Sequence, residues 1–131
     1  MSDTRLNVAQ VTGGLDGSAS GYFKLGNMMI QWGWTFVTGN GTSPYGAVTG
    51  ITYPVAFKTG SFPHVVVTML NSKNGSDPAN IGEFVTVFTE CVVSTINVTA
   101  TTFTGRWYKT TGNLDNGYRI GMSWIAVGLI A

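Results

Sequence analysis

The chain has 131 residues, 10% charged and 44% hydrophobic, with 18 glycines and a net charge of +1 from 7 Lys+Arg against 6 Asp+Glu. That length supports one core, the charge content lies well under the roughly 25% of ordinary soluble domains, and the balance excludes a surface built to neutralise a row of nucleic-acid phosphates. A single cysteine, Cys91, excludes an intrachain disulfide, and a single histidine, His64, leaves no His/Cys zinc site, so no metal and no cofactor is expected.

No apolar leader opens the chain: Met1 to Ser20 carries Asp3, Arg5 and Asp16, and its end, Gly13 to Ser20, is small and polar. Residues 1–20 are therefore expected to be a linker or the end of a longer upstream element, and residues 21–131 one domain. The longest clean apolar run, Trp124 to Ala131, is far short of the about 20 residues a membrane helix needs, so no membrane insertion is expected. From Gly21 onward apolar and polar residues alternate. Met28, Ile30, Trp32, Trp34 and Phe36 share one parity, with Gln31, Gly33 and Thr35 on the other. This predicts a strand with its aromatics on the core face and Gln31 on the opposite face.

Ile51, Tyr53, Val55 and Phe57 repeat the alternation around Pro54, whose missing N–H suits an edge or a bulge. Val65 to Leu70 is a continuous apolar run of strand length. Phe84 to Phe88 and Cys91 to Val93 make a further pair, Ile96, Val98 and Ala100 alternate again, and Phe103, Trp107 and Tyr108 precede a turn. A last strand, from about Tyr118 to Leu129, is apolar on both faces and expected to be covered on both. Thr and Val favour strands throughout, and no window gives an amphipathic helix. Recurrence every ten or so residues with turn signals between predicts an all-β fold, an antiparallel β-sandwich of roughly 7 to 9 strands.

Three loops stand out. Thr38 to Gly50 carries Asn40-Gly41, Ser43-Pro44 and Tyr45; Asn71 to Asn80 carries Asn74-Gly75 and Asp77-Pro78; Thr110 to Gly117 carries Gly112-Asn113 and Asn116-Gly117. Such loops are either plain solvated turns or the place where a β scaffold carries its binding residues. The stretch from Trp107 to Arg119 is the best stocked. Trp107, Tyr108 and Tyr118 could stack on sugar faces, Asn113, Asp115 and Asn116 could bond hydroxyl pairs, and Lys109 and Arg119 suit acidic sugars or phosphate. The alternative is a hairpin whose aromatics pack beneath it. Tyr45, Asn74 and Asp77 are second choices. Trp32 and Trp34 read as core, His64 as a satisfied turn histidine, Cys91 as a buried free thiol, and Lys24 as solvated or an inter-subunit partner.

The segment Gly21-Tyr22-Phe23-Lys24-Leu25-Gly26-Asn27-Met28-Met29-Ile30-Gln31-Trp32-Gly33 resembles the opening of the C-terminal domains of bacteriophage tail fibres and related contractile-tail particles. Ile51-Thr52-Tyr53-Pro54-Val55-Ala56-Phe57, then Val65 to Thr68, and the closing Trp124-Ile125-Ala126-Val127-Gly128 are similar to later motifs of that family in the same order. Met28-Met29 stands where the family has Gly-Leu, the Thr38 to Gly50 loop is longer than the family minimum, and the chain continues past Gly128. The resemblance implies a small β-sandwich at the distal tip of a homotrimeric fibre, with the stub before Gly21 as the end of an upstream shaft. It also implies a structural hydrogen bond for Gln31. The function implied is that of a non-enzymatic adhesin of the virion, binding a bacterial surface glycan such as lipopolysaccharide outside the cell.

Two other readings are set beside it. One is a polysaccharide-depolymerising tip, a glycoside hydrolase, drawing on two of Asp77, Glu83, Glu90 and Asp115, since that chemistry needs two carboxyls about 5 to 9 Å apart. The other is a purely structural fibre-end module. No Gly-x-Ser-x-Gly elbow encloses a serine, which argues against a serine nucleophile.

Overall fold

The computed structural model describes residues 11–13, 20–39, 41–86, 91–109 and 117–131. Alternating, β-branched and aromatic segments give eight strands among them: β1 (Val11–Gly13), β2 (Gly21–Leu25), β3 (Met28–Thr38), β4 (Tyr45–Thr52), β5 (His64–Asn74), β6 (Cys91–Ile96), β7 (Thr102–Lys109) and β8 (Tyr118–Leu129). Every pairing is antiparallel. A five-stranded sheet runs β1-β2-β3-β8-β5 and a three-stranded sheet runs β4-β7-β6. Residues of β7 pack against residues of β8 and β3, so the sheets face each other across a shared core.

The core has two clusters. Met29, Tyr53, Phe57, Phe103, Trp124 and Ala126 form one, and Cys91, Trp107, Ile120 and Met122 the other. The first is a knot of rings in edge-on and offset contact: Tyr53–Phe57 at 4.9 Å, Tyr53–Phe103 at 5.6 Å, Phe103–Trp124 at 5.4 Å and Tyr53–Trp124 at 6.0 Å between centroids. Cys91 is the buried free thiol expected, its pKa pushed up mainly by desolvation.

The orientation of β3 corrects the sequence reading. Met29, Gln31 and Gly33 face the core, and Ile30, Trp32, Trp34 and Phe36 point to the other side of the sheet, half-buried. The reason is steric. Gly33 pairs with Trp124 across the ladder, and a Cβ at Gly33 would lie 2.5 Å from the indole, so the ring lies flat on the glycine. Aromatics from both strands could not occupy one layer. Gln31 is fully buried and bonds the backbone of Val55 twice: its Nε2 donates to the Val55 carbonyl at 2.6 Å and its Oε1 accepts the Val55 N–H at 2.9 Å. The structural hydrogen bond implied by the resemblance is present, on the core face rather than opposite it.

β8 has the bounds expected; Ile120, Met122, Trp124 and Ala126 on its core face are buried, whereas on the other face Gly121 is buried and Ile125 is 52% exposed. The outer face of the five-stranded sheet is consequently apolar. Phe23, Ile30, Val127 and His64 form one cross-strand row, and Gly21, Trp32, Ile125 and Val66 the next. From the row Leu25–Met28–Leu129 to the row Trp34–Ser123–Thr68 there is no Asp, Glu, Lys or Arg. One end is covered by Phe84, whose ring meets Trp34 edge-on at 5.8 Å and lies over Gly121.

Other segments also depart from expectation. Tyr45–Thr52 and His64–Asn74 are strands, so the first two loops shrink to residues 39–44 and to the stretch after Asn74. In place of a strand from Phe84, a 3-10 turn at Ile81–Glu83 leads to buried Phe84 and a lone bridge between Thr86 and Ser72; residues 87 and 88 lie outside the described residues. Tyr53 and Phe57 continue inward past the end of β4, with Phe57 bridged to Ile130. Val11–Gly13, within the stretch expected as linker, pairs with Phe23 to Gly21 at the sheet edge.

Candidate binding surface

The topology brings the strand ends that flank the three loops to one end, where β3, β5 and β7 finish and β4, β6 and β8 begin. Backbone bonds tie them together: the Gly39 N–H to the Tyr118 carbonyl at 2.8 Å, the Lys109 N–H to the Pro44 carbonyl at 2.7 Å, and the Gly75 N–H to the Gly117 carbonyl at 3.4 Å. Asn74 pairs with Tyr118 and Lys73 with Arg119, so Asn74, Asp77, Tyr118 and Arg119 come together as one group.

The charged members of that group are paired with each other. Arg119 donates from Nε to Asp77 Oδ1 at 2.9 Å and from Nη1 to the Gly117 carbonyl at 2.8 Å, which commits much of its fork. Lys73 donates to Glu83 at 2.6 Å, and Glu83 also accepts the N–H groups of Ala79 and Asn80, closing a capping box with Asn80. The Lys73 hydrogen bond, then the Ala79 N–H, hold the Glu83 carboxyl below its usual range. A glycosidase acid needs the opposite displacement. Asp77 and Glu83 act here as partners of bases, and Glu90 and Asp115 lie outside the described residues.

Tyr45 and Tyr108 meet elsewhere, on the solvent face of the three-stranded sheet. They are directly opposed across β4 and β7, with Val92 of β6 next in the row; Ala47, Arg106 and Ser94 form the row beside it. Tyr45 is 62% exposed and Tyr108 49%. A groove of about 420 Å³ is lined by Tyr45, Val92, Ser94, Arg106, Trp107 and Tyr108. Among the described residues the Arg106 side chain has no ion-pair partner: the two salt bridges are Lys73–Glu83 and Arg119–Asp77.

The remaining candidates distribute differently from expectation. Trp107 is a correction: it is 6% exposed, its indole lies over Gly46, and its Nε1 is buried without a hydrogen-bond partner, so it offers no open ring face to a sugar. Lys109, one residue past Tyr108, takes the opposite face, in register with Cys91. Tyr118 packs, half-buried, against the Trp107 cluster. Asn113, Asp115 and Asn116 lie outside the described residues. His64 is exposed at the start of β5, Lys24 stands 5.7 Å from the Tyr22 ring centroid, and no group of three His, Cys, Asp or Glu side chains suits a metal among the described residues. Arg106, Ser94 and Val92 were missed; the signal was the shared parity of Arg106 and Tyr108, which strand alternation puts on one face.

Among solved structures, the chain is similar to an N-truncated R1-type pyocin tail fibre, with a TM-score of 0.59 and 23% identity over 90% of this chain and 84% of that one. The fold is that of a pyocin tail fibre. A C-terminal part of the P. aeruginosa R1 pyocin fibre is similar too, at a TM-score of 0.57 and 24% identity over 83% of this chain and 26% of that one. No protein-family model and no curated protein sequence matches the chain. Within the pyocin-fibre fold, the three sequence segments that carry the resemblance meet at one point of the core: Gln31 bonds Val55, Gly33 carries the Trp124 ring, Tyr53 touches that ring, and Gly128 lies under Phe57.

Proposed function

We propose that the chain is the receptor-binding tip domain of a tail fibre of a phage or phage-like particle, acting outside the bacterial cell by binding rather than catalysis. The observation that carries this reading is the likeness of its fold to a pyocin tail fibre over 90% of the chain. The receptor is a bacterial surface glycan, which the loop end and the tyrosine-lined sheet face would meet with shallow contacts. Weak single-site affinity suffices, because several tips on one particle raise avidity without new contacts.

The working form is a homotrimer joined to an upstream shaft, and the outer face of the five-stranded sheet is where copies of this chain meet. That face presents Trp32, Ile125, Val66 and Leu129 with no Asp, Glu, Lys or Arg among its rows. A surface without charge has nothing to offer a charged partner, and another copy of itself is the apolar match at hand; obligate homo-oligomer interfaces have this character. Light scattering at micromolar concentration should give three times the 13.9 kDa protomer mass, and Ile125→Glu should lower it. A monomeric wild type refutes the assembly. Failure of the purified protein to bind any panel of bacterial surface polysaccharides refutes the adhesin reading.

A further inference from the structure

The outward face of the β4-β7-β6 sheet is built differently from the rest of the surface. Two tyrosines stand on directly opposed positions, where Cβ atoms lie about 5 Å apart, so Tyr45 and Tyr108 both line the groove, each bringing an apolar ring and a hydroxyl tip. Val92 extends this lining across β6. One step along the strands, Arg106 and Ser94 are also directly opposed, adding five guanidinium donors and one hydroxyl to that lining. The groove, about 420 Å³ and open to solvent along one side, lies in the size range of small-ligand sites.

The electrostatics select among ligands. Arg106 is the groove's cation, and the described carboxylates, Asp77 and Glu83, are bonded to Arg119 and Lys73 in another part of the molecule. An exposed guanidinium beside aromatic rings is matched by a carboxylate or phosphate, either of which offers two oxygens to its paired N–H donors, on a body with an apolar face. One arginine cannot follow a chain of phosphates, which argues against a nucleic-acid strand.

We propose that the groove between Tyr45, Tyr108, Arg106 and Ser94 binds an acidic sugar unit, the pyranose stacked on the tyrosines and its carboxylate or phosphate held bidentately by Arg106. This rests on the glycan-binding reading above and adds the site and the charge class. The sheet face is the side of the domain away from the apolar face assigned to self-association, so all three copies can present it at once.

The test uses the full chain on an array of bacterial surface polysaccharides, each spotted native, carboxyl-reduced and phosphatase-treated, with wild type and Arg106→Gln compared. Native acidic glycans should bind, one of the two treatments should abolish binding and so name the anion, and Arg106→Gln should weaken binding tenfold or more while leaving the far-ultraviolet spectrum unchanged. The double variant Tyr45→Ala/Tyr108→Ala should lose binding as well. Binding of neutral glycans only, or acidic binding that survives Arg106→Gln, overturns the groove and leaves the adhesin reading standing. A surface protein captured in the groove instead of any sugar also overturns it. Silence across the whole array counts against both.

Discussion

Replacing Gln31 with leucine removes both ends of a clamp on the Val55 backbone. The wild-type side chain is fully buried and satisfies the Val55 N–H at 2.9 Å and carbonyl at 2.6 Å. Leucine fits the apolar surroundings but leaves those two partly buried groups unpaired, at about 1 to 3 kcal/mol each, less what an extra buried branch returns. The expected net loss is about 3 kcal/mol, a fall in Tm of roughly 10 °C at this chain length. Gln31→Glu gives a sharper version. One carboxylate oxygen still accepts the N–H, but the other replaces the Nε2 donor against the Val55 carbonyl. Protonation restores the donor, so the folded-state pKa of the introduced carboxyl should lie above its unfolded value of about 4.3. The stability of that variant should be greatest below pH 4 and decline as pH rises through the folded pKa, the reverse of an ordinary surface carboxyl. Urea unfolding followed by tryptophan fluorescence, at fixed protomer concentration because assembly shifts the midpoint, measures both. If either variant lies within 0.5 kcal/mol of wild type at pH 7, or Gln31→Glu does not regain stability on acidification, the clamp does not carry the weight assigned to it.

Gly33→Ala should cost about 2 to 4 kcal/mol, since its Cβ would lie 2.5 Å from the Trp124 ring; a near-ultraviolet signal from Trp124 unchanged in the variant would refute the close approach. Tyr53→Phe should raise stability at pH 7 by about 1 kcal/mol, because the buried Tyr53 hydroxyl has no partner. Burial pushes the Tyr53 pKa up to about 12 from 10, so the folded state holds its proton longer than the unfolded one. Stability is therefore retained below pH 10 and lost towards pH 12, by no more than about 1.4 kcal/mol per unit. A melting curve of Tyr53→Phe that falls as steeply as wild type over that interval would refute the assignment.

Strands were legible where alternation was long and unbroken: β3 and β8 lie where the sequence puts them, and β8 to the residue. Which face of β3 turns inward was not legible, because both parities of that strand hold groups able to occupy a core. Hydrophobicity favours Trp32 and Trp34, and the choice falls to Gly33, which accepts a ring from a strand some ninety residues away. The same long-range logic hides Trp107: its partner is Gly46, far off in sequence, and nothing near Trp107 announces that its ring has somewhere to lie. The tail-fibre resemblance was readable because its segments converge on Gln31, Tyr53 and Trp124, residues that fix the fold. Those residues carry no information about a ligand, which explains why the fold was more accessible than the site. Arg106 escaped because the candidate window began at Trp107, one residue after the side chain that shares a face with Tyr108.

The position of β8 bears on how the molecule comes into being. It is the last of the described strands in chain order, yet it is inserted between β3 and β5 in the interior of the larger sheet. During synthesis, both of its neighbours therefore emerge from the ribosome with bare hydrogen-bonding edges and must wait for it, and pairing partners so distant in sequence close slowly. Nascent chains held in that interval are the species most prone to pair with the wrong molecule, so yield in the producing cell should depend on how quickly translation passes from β5 to β8.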